Sequence, residues 1–432
     1  MNVSQTFQDF LNNLEVDNKE QISKRYGEIT RVLNQKYRSS DSKTSNSLQV
    51  GSYGRYTAIK SISDLDMIYI LPWAEYERFK DGRQSALLQE VKKTIQSRYQ
   101  NTNMRGDGQV VVISFSNYQI EVLPAFEFED GSFYYPDTNN GGSWKTTKPR
   151  EEKKAISELH SSKNNNLRPL CKMLRSWKNY HGVAMGGLLI DSIAYNYLNS
   201  TTEYDDKSYT YYDWMTRDFL KYLSELQNTN HVFAPGSNQK VYIKKKFQTK
   251  AKKAHNLVLE AIDAQENKNA NQKWKKIFGR DFPSSMKVTT ESADTSMLSW
   301  RNTEEFIEDM FNVDIRYDLT IDSEVKSDTV PLTNLLNMLL KKETLSPNYN
   351  LIFKIIDNET PGKYDIYWKV LNRGEEAKQR DEIRGQIIKG YKIKNETTKF
   401  SGDHVVECYI VKNNIVVAKD RVHVPIDEKG KY

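Results

Sequence analysis

Residues 51–71 of this 432-residue chain read GSYGRYTAIKSISDLDMIYIL. The stretch begins with a glycine–serine pair typical of a tight turn and ends in an apolar run typical of a β-strand. Asp64 and Asp66 stand at the start of that run, separated by one leucine. Because alternate residues of a strand face the same side, this spacing predicts two carboxylates on one face and Leu65 in the core.

The polar residues of this stretch are suited to phosphate chemistry. Two neighbouring carboxylates repel each other unless a cation lies between them, and Mg²⁺ prefers such oxygen ligands. A pair of ions about 3.5–4 Å apart can stabilise the attacking and leaving oxygens of a phosphoryl transfer. A turn at Gly51 and Ser52 offers backbone N–H groups and a hydroxyl to a triphosphate. We therefore predict a metal-dependent enzyme with Mg²⁺ or Mn²⁺ as its cofactor.

A third carboxylate is expected on a neighbouring strand. Glu121 lies in the middle of the run YQIEVLPAF, residues 118–126, between Ile120 and Val122. A charge between two apolar β-branched residues indicates either a ligand of the metal site or a solvated strand face. We predict that Glu121 completes the metal site with Asp64 and Asp66.

Several basic residues are candidates for phosphate contacts. Arg55 and Lys60 follow the glycine–serine turn, and either side chain could reach a bound triphosphate. The cluster Lys244–Lys246 could bind an activating nucleic acid such as RNA, or further phosphates, although the start of an exposed helix is the commoner origin of such a cluster. An isolated Asp-x-Asp pair is common by chance, so the prediction depends on the combination of turn, spacing, strand and third acid.

The whole stretch resembles the oligonucleotide second-messenger synthases, a family that includes bacterial cyclic dinucleotide and trinucleotide synthases, oligoadenylate synthase and cyclic GMP-AMP synthase. Gly51, Ser52, Asp64, Asp66 and Glu121 stand at the positions of the family motif. The resemblance implies a polymerase-β-like nucleotidyltransferase palm. It also implies that nucleoside triphosphates (ATP, with GTP or others) become a cyclic di- or trinucleotide. That product would reach a downstream effector in bacterial anti-phage signalling.

The resemblance extends beyond the palm. Residues 170–178 (LCKMLRSWK) are similar to the family helix whose lysine reaches the donor triphosphate, which implies that role for Lys172. Residues 304–426 resemble a C-terminal domain of bacterial synthases that has been proposed as a nucleotide sensor. Two positions depart from the family pattern: the third acid is often Asp rather than Glu121, and relatives often carry serine at the position of Gly187.

Hydrophobic periodicity predicts an α+β architecture with several domains. We expect an N-terminal helix and palm at 1–145, with a loop at 131–150. A helical domain that closes the active-site cleft is expected at 146–285, a linker at 286–303, and a mostly-β, sandwich-like domain at 304–432. The N-terminal helical pattern covers residues 5–38, and residues 48–54 are expected to form a short strand that runs into a tight turn.

The C-terminal domain shows period-two, β-branched segments typical of strands. One helix-like segment, 331–342, interrupts them, and Asn413-Asn414 has the composition of a two-residue hairpin turn. The predicted strands are 315–325, 350–357, 364–372, 382–388, 404–414 and 415–425.

Composition narrows the remaining classes of protein. The net charge is +6, with the positive excess in residues 1–300, which suits a phosphate-rich substrate. Only two cysteines occur, so a disulfide framework and a Cys-based zinc site are not expected. The apolar run 183–198 is interrupted by Asp191 and is too short to span a bilayer. Without a signal-peptide pattern at the start, we expect a cytoplasmic protein.

Two other functions remain open from the sequence. The palm motif is shared with terminal nucleotidyltransferases that act on RNA or on a small acceptor. A catalytically silent sensor of nucleotides or nucleic acid is a third possibility, and the C-terminal domain could either bind a regulatory nucleotide or dock a partner.

Overall fold

The computed structural model describes residues 2–60, 63–116, 118–267, 269–284, 304–327, 330–372, 384–399 and 401–427. The chain forms two compact units. The first comprises residues 1–177 and 185–285, and the second comprises residues 178–184 and the chain from 286 onward. The predicted linker at 286–303 lies outside the described residues, and both predicted front domains, 1–145 and 146–285, fall mainly within the first unit.

The described part of the first unit combines a seven-stranded mixed sheet, a two-stranded sheet of β8 and β9, and helices. Its strands are β1 (Ser47–Gln49), β2 (Asp64–Ile70), β3 (Asn103–Asp107), β4 (Val110–Ser114), β5 (Gln119–Glu127), β6 (Phe133–Asp137), β7 (Ser143–Thr147), β8 (His231–Phe233) and β9 (Lys240–Tyr242). Its helices are α1 (Val3–Asn13), α2 (Lys19–Arg38), α3 (Gly51–Gly54), α4 (Gln84–Arg98), α5 (Pro149–Ser162), α6 (Leu167–His181, grouped with the second unit from residue 178), α7 (Gly187–Asn199), α8 (Tyr212–Glu225), α9 (Gln248–Asp263) and α10 (Ala270–Phe278).

The main sheet has seven strands among the described residues, with β1, β2, β5, β4 and β3 in that spatial order; β6 pairs with β5, and β7 pairs with β6. The strands β2 and β5 are parallel, whereas the other pairs are antiparallel. Alternate residues of β2 (Leu65, Met67 and Tyr69) have no exposed surface and pack in one core with residues of α2 and α4. The opposite face of β2 therefore carries the even-numbered residues, including both aspartates.

The N-terminal helix α1 packs against the last helical segment of the same unit. Phe7 is fully buried, and its ring centroid lies 5.1 Å from that of Trp274 and 5.4 Å from that of Phe282, both edge-on. Edge-on aromatic pairs add to the free energy of burial. The start and the end of the first unit thus share one aromatic cluster.

The second unit is a β-sandwich. Its strands are β10 (Asn312–Val313), β11 (Leu319–Ser327), β12 (Val330–Asn334), β13 (Tyr349–Asn358), β14 (Asp365–Leu371), β15 (Ile387–Gly390), β16 (Ile393–Thr397), β17 (Gly402–Lys412) and β18 (Ile415–Ile426). Two short helices, α11 (Ile307–Met310) and α12 (Leu335–Leu340), complete it. One sheet has the order β10-β18-β17-β14-β15 and the other β12-β11-β13-β16.

The two sheets of the sandwich share a hydrophobic core. Leu319 and Phe353 from one sheet pack in the same cluster as Trp368 and Cys408 from the other. The predicted hairpin between β17 and β18 is confirmed, because Asn413 and Asn414 both adopt the left-handed conformation, with φ of 52° and 61°. Two consecutive left-handed residues match the twist of the flanking strands.

Some local predictions are wrong. The region 131–150, expected to be a loop, contains the antiparallel hairpin of β6 and β7 and the start of α5. Its Gly, Asn and Pro content concealed the pairing, which is supported by stacked rings of Tyr134 and Trp144 with centroids 5.2 Å apart. By contrast, the segment 48–54 agrees with the prediction of a short strand that runs into a tight turn, because β1 ends at Gln49 and the one-turn helix α3 begins at Gly51.

Other boundaries also differ from the prediction. The helical pattern at 5–38 is divided into α1 and α2. The helix-like segment 331–342 is extended up to Asn334, and helical only from Leu335 to Leu340. Among the described residues, no helix is both long and apolar enough to cross a membrane.

We expect Phe7→Ala to lower the free energy of unfolding of the first unit by about 3–5 kcal/mol, because it removes a buried ring and leaves a cavity. Phe233→Ala is the matched control, since Phe233 is 53% exposed and its loss should change stability by less than about 0.5 kcal/mol. Urea unfolding followed by tryptophan fluorescence measures both variants. Equal stability of the two variants would contradict the anchoring role of α1.

Candidate active site

Three carboxylates meet at one end of the β2–β5 pair. One oxygen from each of Asp64, Asp66 and Glu121 lies within 4.8 Å of the other two, and all three residues are half-buried. Asp66 and Glu121 are direct partners across the parallel strands. Ser63 Oγ donates a hydrogen bond to Asp64 Oδ1 at 2.6 Å. The structure therefore brings together the three acids that the sequence analysis selected.

The register of the strands determines this convergence. Leu65 and Ile120, the neighbours of the acids, are fully buried on the opposite face, so a slip by one residue would move the acids into the core. Three carboxylate oxygens at this spacing form a set of hard ligands, which suits Mg²⁺ or Mn²⁺ better than a thiol-preferring metal. The donor set thus fits the predicted cofactor.

Gly51 brings the turn into contact with Asp66. Its φ is +63°, and a Cβ atom at this position would lie 1.7 Å from Asp66 Oδ2. The backbone N–H of Val50 donates to the carbonyl of Asp66 at 3.0 Å. Both the left-handed conformation and the close approach therefore require glycine here.

Ser52 follows Gly51 in the one-turn helix α3. Its carbonyl accepts hydrogen bonds from the backbone N–H groups of Thr57 and Ala58, at 2.9 and 3.2 Å. These two bonds close the turn and fix the backbone on which the Ser52 hydroxyl is carried. Ser52 is half-buried, so its side chain remains accessible to a ligand.

A cavity of about 260 Å³ opens beside this turn. Gly51 and Arg55 contribute to one side of it, and Arg150, Lys153 and Lys154 from α5 contribute to the other. The basic residues from α5 give this cavity a positive lining that favours anions. Among the described residues, the three acids and Ser52 are not part of its lining.

Lys172 is half-buried on one face of α6. Arg168 and Arg175 share that face, since they are four residues before and three residues after Lys172. The Arg168 guanidinium lies 4.9 Å from the ring centroid of Tyr56. In the structure Lys172 forms an ion pair with Glu15, whose pKa is lowered although burial opposes the shift. Contact between Lys172 and the triphosphate stays a prediction.

Arg55 belongs to a buried ionic network. Its Nε donates to Asp191 Oδ2 at 2.9 Å, its Nη1 lies 3.5 Å from Glu152 Oε2, and only 6% of Arg55 is exposed. Arg175 Nη1 donates to the other oxygen of Asp191 at 2.6 Å. Burial alone would raise the pKa of Asp191, but Arg175 and Arg55 lower it to about 2. In the structure the Arg55 guanidinium is bound by Asp191 and Glu152 inside the protein. Contact between Arg55 and substrate stays a prediction.

Asp191 was not predicted as a site residue. In the sequence it was considered only because it interrupts the apolar run 183–198. A carboxylate among the buried positions of an apolar helix was the available signal, because such a charge needs a partner. The partners themselves, Arg55 and Arg175, cannot be inferred from sequence spacing.

The remaining candidates have varied surroundings. Lys60 Nζ lies 2.6 Å from Asp281 Oδ1, so this lysine is paired within the first unit. Gly187 begins α7, and its carbonyl accepts a hydrogen bond from Arg175 at 3.0 Å. The cluster Lys244–Lys246 lies between β9 and α9, and its binding of RNA stays a prediction.

Two known families match parts of this chain. The model of the Second Messenger Oligonucleotide or Dinucleotide Synthetase domain matches residues 1–159. The model of the Adenylyl/Guanylyl and SMODS C-terminal sensor domain matches residues 301–427. These two matches cover the predicted palm and the predicted C-terminal domain.

Individual relatives carry related names. A probable cyclic nucleotide synthase of Bacillus cereus strain VD146 is 20% identical over 274 residues, which cover 54% of this chain and 81% of that protein. A cytidylate cyclase of Staphylococcus aureus is 33% identical over 96 residues, which cover 21% of this chain and 22% of that protein.

A solved structure shows the same fold. A chain of the E. coli MS115-1 CdnC:HORMA-deltaN complex superposes with a TM-score of 0.50 at 14% sequence identity, covering 65% of this chain and 98% of that chain. The fold and the acid cluster define an enzyme of the polymerase-β-like nucleotidyltransferase class. The chain carries a domain of the Second Messenger Oligonucleotide or Dinucleotide Synthetase family at residues 1–159 and a domain of the C-terminal sensor family at residues 301–427.

We expect Gly51→Ala to abolish function at the acid cluster, because its Cβ would displace the Asp66 carboxylate. Gly82→Ala is the matched control: Gly82 has φ +69° and nothing within 4 Å of an added Cβ. Both variants carry the same backbone strain of about 1–2 kcal/mol. Only Gly51→Ala should weaken Mn²⁺ binding, measured by electron paramagnetic resonance, by about tenfold or more. Similar Mn²⁺ affinities of the two variants would contradict the assignment.

The Asp191 network predicts a pH dependence. The pKa of this carboxyl is about 2 in the folded protein and 3.8 ordinarily, so its stabilising effect is present above about pH 4 and is lost as the pH falls towards 2. Over that interval the free energy of unfolding should fall more steeply in the wild type than in Asp191→Asn. Urea unfolding at a series of pH values compares the two slopes, and parallel slopes would refute the prediction.

Proposed function

We propose that this enzyme joins nucleoside triphosphates into a cyclic di- or trinucleotide second messenger at the Asp64–Asp66–Glu121 cluster. The observation that carries the proposal is the convergence of three carboxylate oxygens within 4.8 Å, directly beside the turn that begins at Gly51. The similarity to cyclic nucleotide synthases supports a cyclic nucleotide as the product.

Each group of residues has a distinct task in this proposal. Asp64 and Asp66 bind the metal ions from one face of β2, and Glu121 completes the ligand set from β5. Ser52 and Lys172 hold the triphosphate of the donor nucleotide. Mg²⁺ or Mn²⁺ bound there would supply charge neutralisation at the phosphates and ease ionisation of the attacking hydroxyl.

The bond changes follow from this placement. A ribose hydroxyl oxygen of the acceptor bonds to the α-phosphorus of the donor while the bond between that phosphorus and the bridging oxygen breaks. Pyrophosphate leaves with the electron pair, and the hydroxyl proton passes to solvent. A dinucleotide ring closes by a second transfer within the linear intermediate, whereas a trinucleotide ring needs one more intermolecular transfer before the intramolecular one, and each transfer releases pyrophosphate. Holding both nucleotides in line accounts for much of the rate enhancement that such enzymes can achieve.

The substrates are ATP together with GTP or other ribonucleoside triphosphates. The family supports a role in bacterial anti-phage signalling, in which the cyclic product acts on a downstream effector in the cytoplasm. The C-terminal unit, through its match to the sensor family, supports regulation by a bound nucleotide.

We expect purified enzyme with Mg²⁺ or Mn²⁺ and all four labelled ribonucleoside triphosphates to form a small product that resists phosphatase. Chromatography and mass spectrometry then identify its bases and ring size. The double variant Asp64→Ala, Asp66→Ala should form none. Glu121→Gln should lower the rate by about 100-fold or more, on the scale of one lost transition-state interaction.

Glu127→Gln is the control for the third acid, because Glu127 lies on the same strand, is also half-buried and pairs with Arg150 at 2.8 Å. This variant should retain full activity. Full activity in the double aspartate variant would overturn the mechanism. Label found only on added RNA would favour a terminal nucleotidyltransferase instead, and product formed only with added RNA would identify RNA as an activator.

A further inference from the structure

A chain of hydrogen bonds holds the Ser52 turn from the side of the helices. The backbone N–H of Thr57 donates to the Ser52 carbonyl at 2.9 Å, and the Thr57 hydroxyl donates to Asp191 Oδ2 at 2.9 Å. The same hydroxyl lies 3.4 Å from the Ser52 carbonyl, but its single proton is better placed towards the charged carboxylate. Thr57 and Asp191 both have no exposed surface.

Asp191 is itself held at both oxygens. Arg175 donates to Oδ1 at 2.6 Å, and Arg55 and Thr57 both donate to Oδ2 at 2.9 Å. Arg175 also donates to the carbonyl of Gly187 at 3.0 Å, which links α6 to the first residue of α7. The carboxylate therefore has a fixed orientation, set by one residue of α6 and two residues of the segment that follows the turn.

We infer that Thr57 and Asp191 are positioning residues for the donor triphosphate. They fix the backbone of Ser52 relative to α6, the helix that carries Lys172, and they do so without touching the substrate. This inference rests on the proposed function, in which Ser52 and Lys172 hold the triphosphate together. The position of Ser52 relative to Lys172 then depends on the buried Asp191 network, which lies outside the phosphate site.

The network acts at two points of one short segment. Arg55 and Thr57 are separated by a single residue, and both bind the same oxygen of Asp191. The intervening Tyr56 adopts a left-handed φ of 61°, which is unfavourable for a residue with a side chain. This conformation allows Arg55 and Thr57 to reach the same carboxylate. The strained backbone of Tyr56 is therefore consistent with a segment that the Asp191 network holds in place.

Thr57→Val is the diagnostic variant, because it removes the hydroxyl donor and keeps the shape of the side chain. Asp191→Asn is less suitable, since it leaves Arg55 and Arg175 buried beside a neutral amide. We expect Thr57→Val to weaken binding of α,β-methylene ATP and α,β-methylene GTP about tenfold, the scale of one lost charge-assisted hydrogen bond. The KM for the nucleotides should rise by a similar factor, while kcat changes less than about threefold. Thr57→Ser, which restores the hydroxyl, should restore both values.

A double-mutant cycle with Ser52→Ala separates positioning from general destabilisation. If Thr57 acts through Ser52, Thr57→Val should weaken binding by less than about twofold further in the Ser52→Ala background. Thr216→Val is the matched control: Thr216 is 4% exposed, lies in the same unit and donates to the Tyr212 carbonyl at 2.7 Å. This control should leave nucleotide affinity unchanged.

The outcomes separate this inference from the proposed function. If the wild type binds neither analogue in the presence of Mg²⁺, the proposed function fails and the inference fails with it. If the wild type binds an analogue and Thr57→Val binds it equally well, only the positioning role is overturned. Additive losses in the cycle, or an equal loss of affinity in Thr216→Val, would also overturn that role.

Discussion

Carboxylates held within 4.8 Å of one another repel, and a chain without tertiary constraints would separate them. The parallel pairing of β2 with β5 prevents this separation, because it places Asp66 directly beside Glu121 and leaves Asp64 two residues away on the same face. The buried residues on the other face, such as Leu65, resist any change of register. Burial of apolar surface on one face of the sheet thus holds three mutually repelling carboxylates together on the other face. The acid cluster forms as the chain folds, in an arrangement that suits cations.

Two groups of charges in the first unit illustrate different uses of a carboxylate. Asp191 has no exposed surface and is bound by two arginines and a threonine, so its charge is neutralised within the protein. The acid cluster is half-buried and consists of like charges, an arrangement that suits cations delivered with a substrate. Closed ionic networks give fixed geometry, whereas clustered like charges give affinity for an external cation.

The grouping of Asp64 with Asp66 could be predicted because it is local: a period-two strand places both on one face. Glu121 was recognisable as a charge between apolar residues of a later strand, and its place beside Asp66, which depends on the pairing of β2 with β5, was implied by the family resemblance. The Asp191 network could not be predicted in the same way, since Arg55 is 136 residues away from its carboxylate. Sequence position near the turn indicated phosphate contact for Arg55, but the direction of a long side chain depends on packing. The hairpin of β6 and β7 was missed for a related reason: its glycine and asparagine content is typical of loops, and its pairing depends on aromatic contacts across the hairpin.

The turn that begins at Gly51 needs two opposite properties. Glycine permits the close approach to Asp66, yet the same lack of a side chain makes the backbone free to adopt other conformations. A flexible turn would have to become ordered whenever a triphosphate binds, and that entropy loss would reduce affinity. The hydrogen bonds from Thr57 and Ala58 to Ser52, together with the Asp191 network behind them, restrict the turn before any ligand arrives. In this protein, therefore, the residue that allows the approach and the residues that fix it are different. A substitution of Gly51 disturbs the acid cluster through Asp66, whereas a substitution of Thr57 loosens the turn and leaves the acid cluster in place.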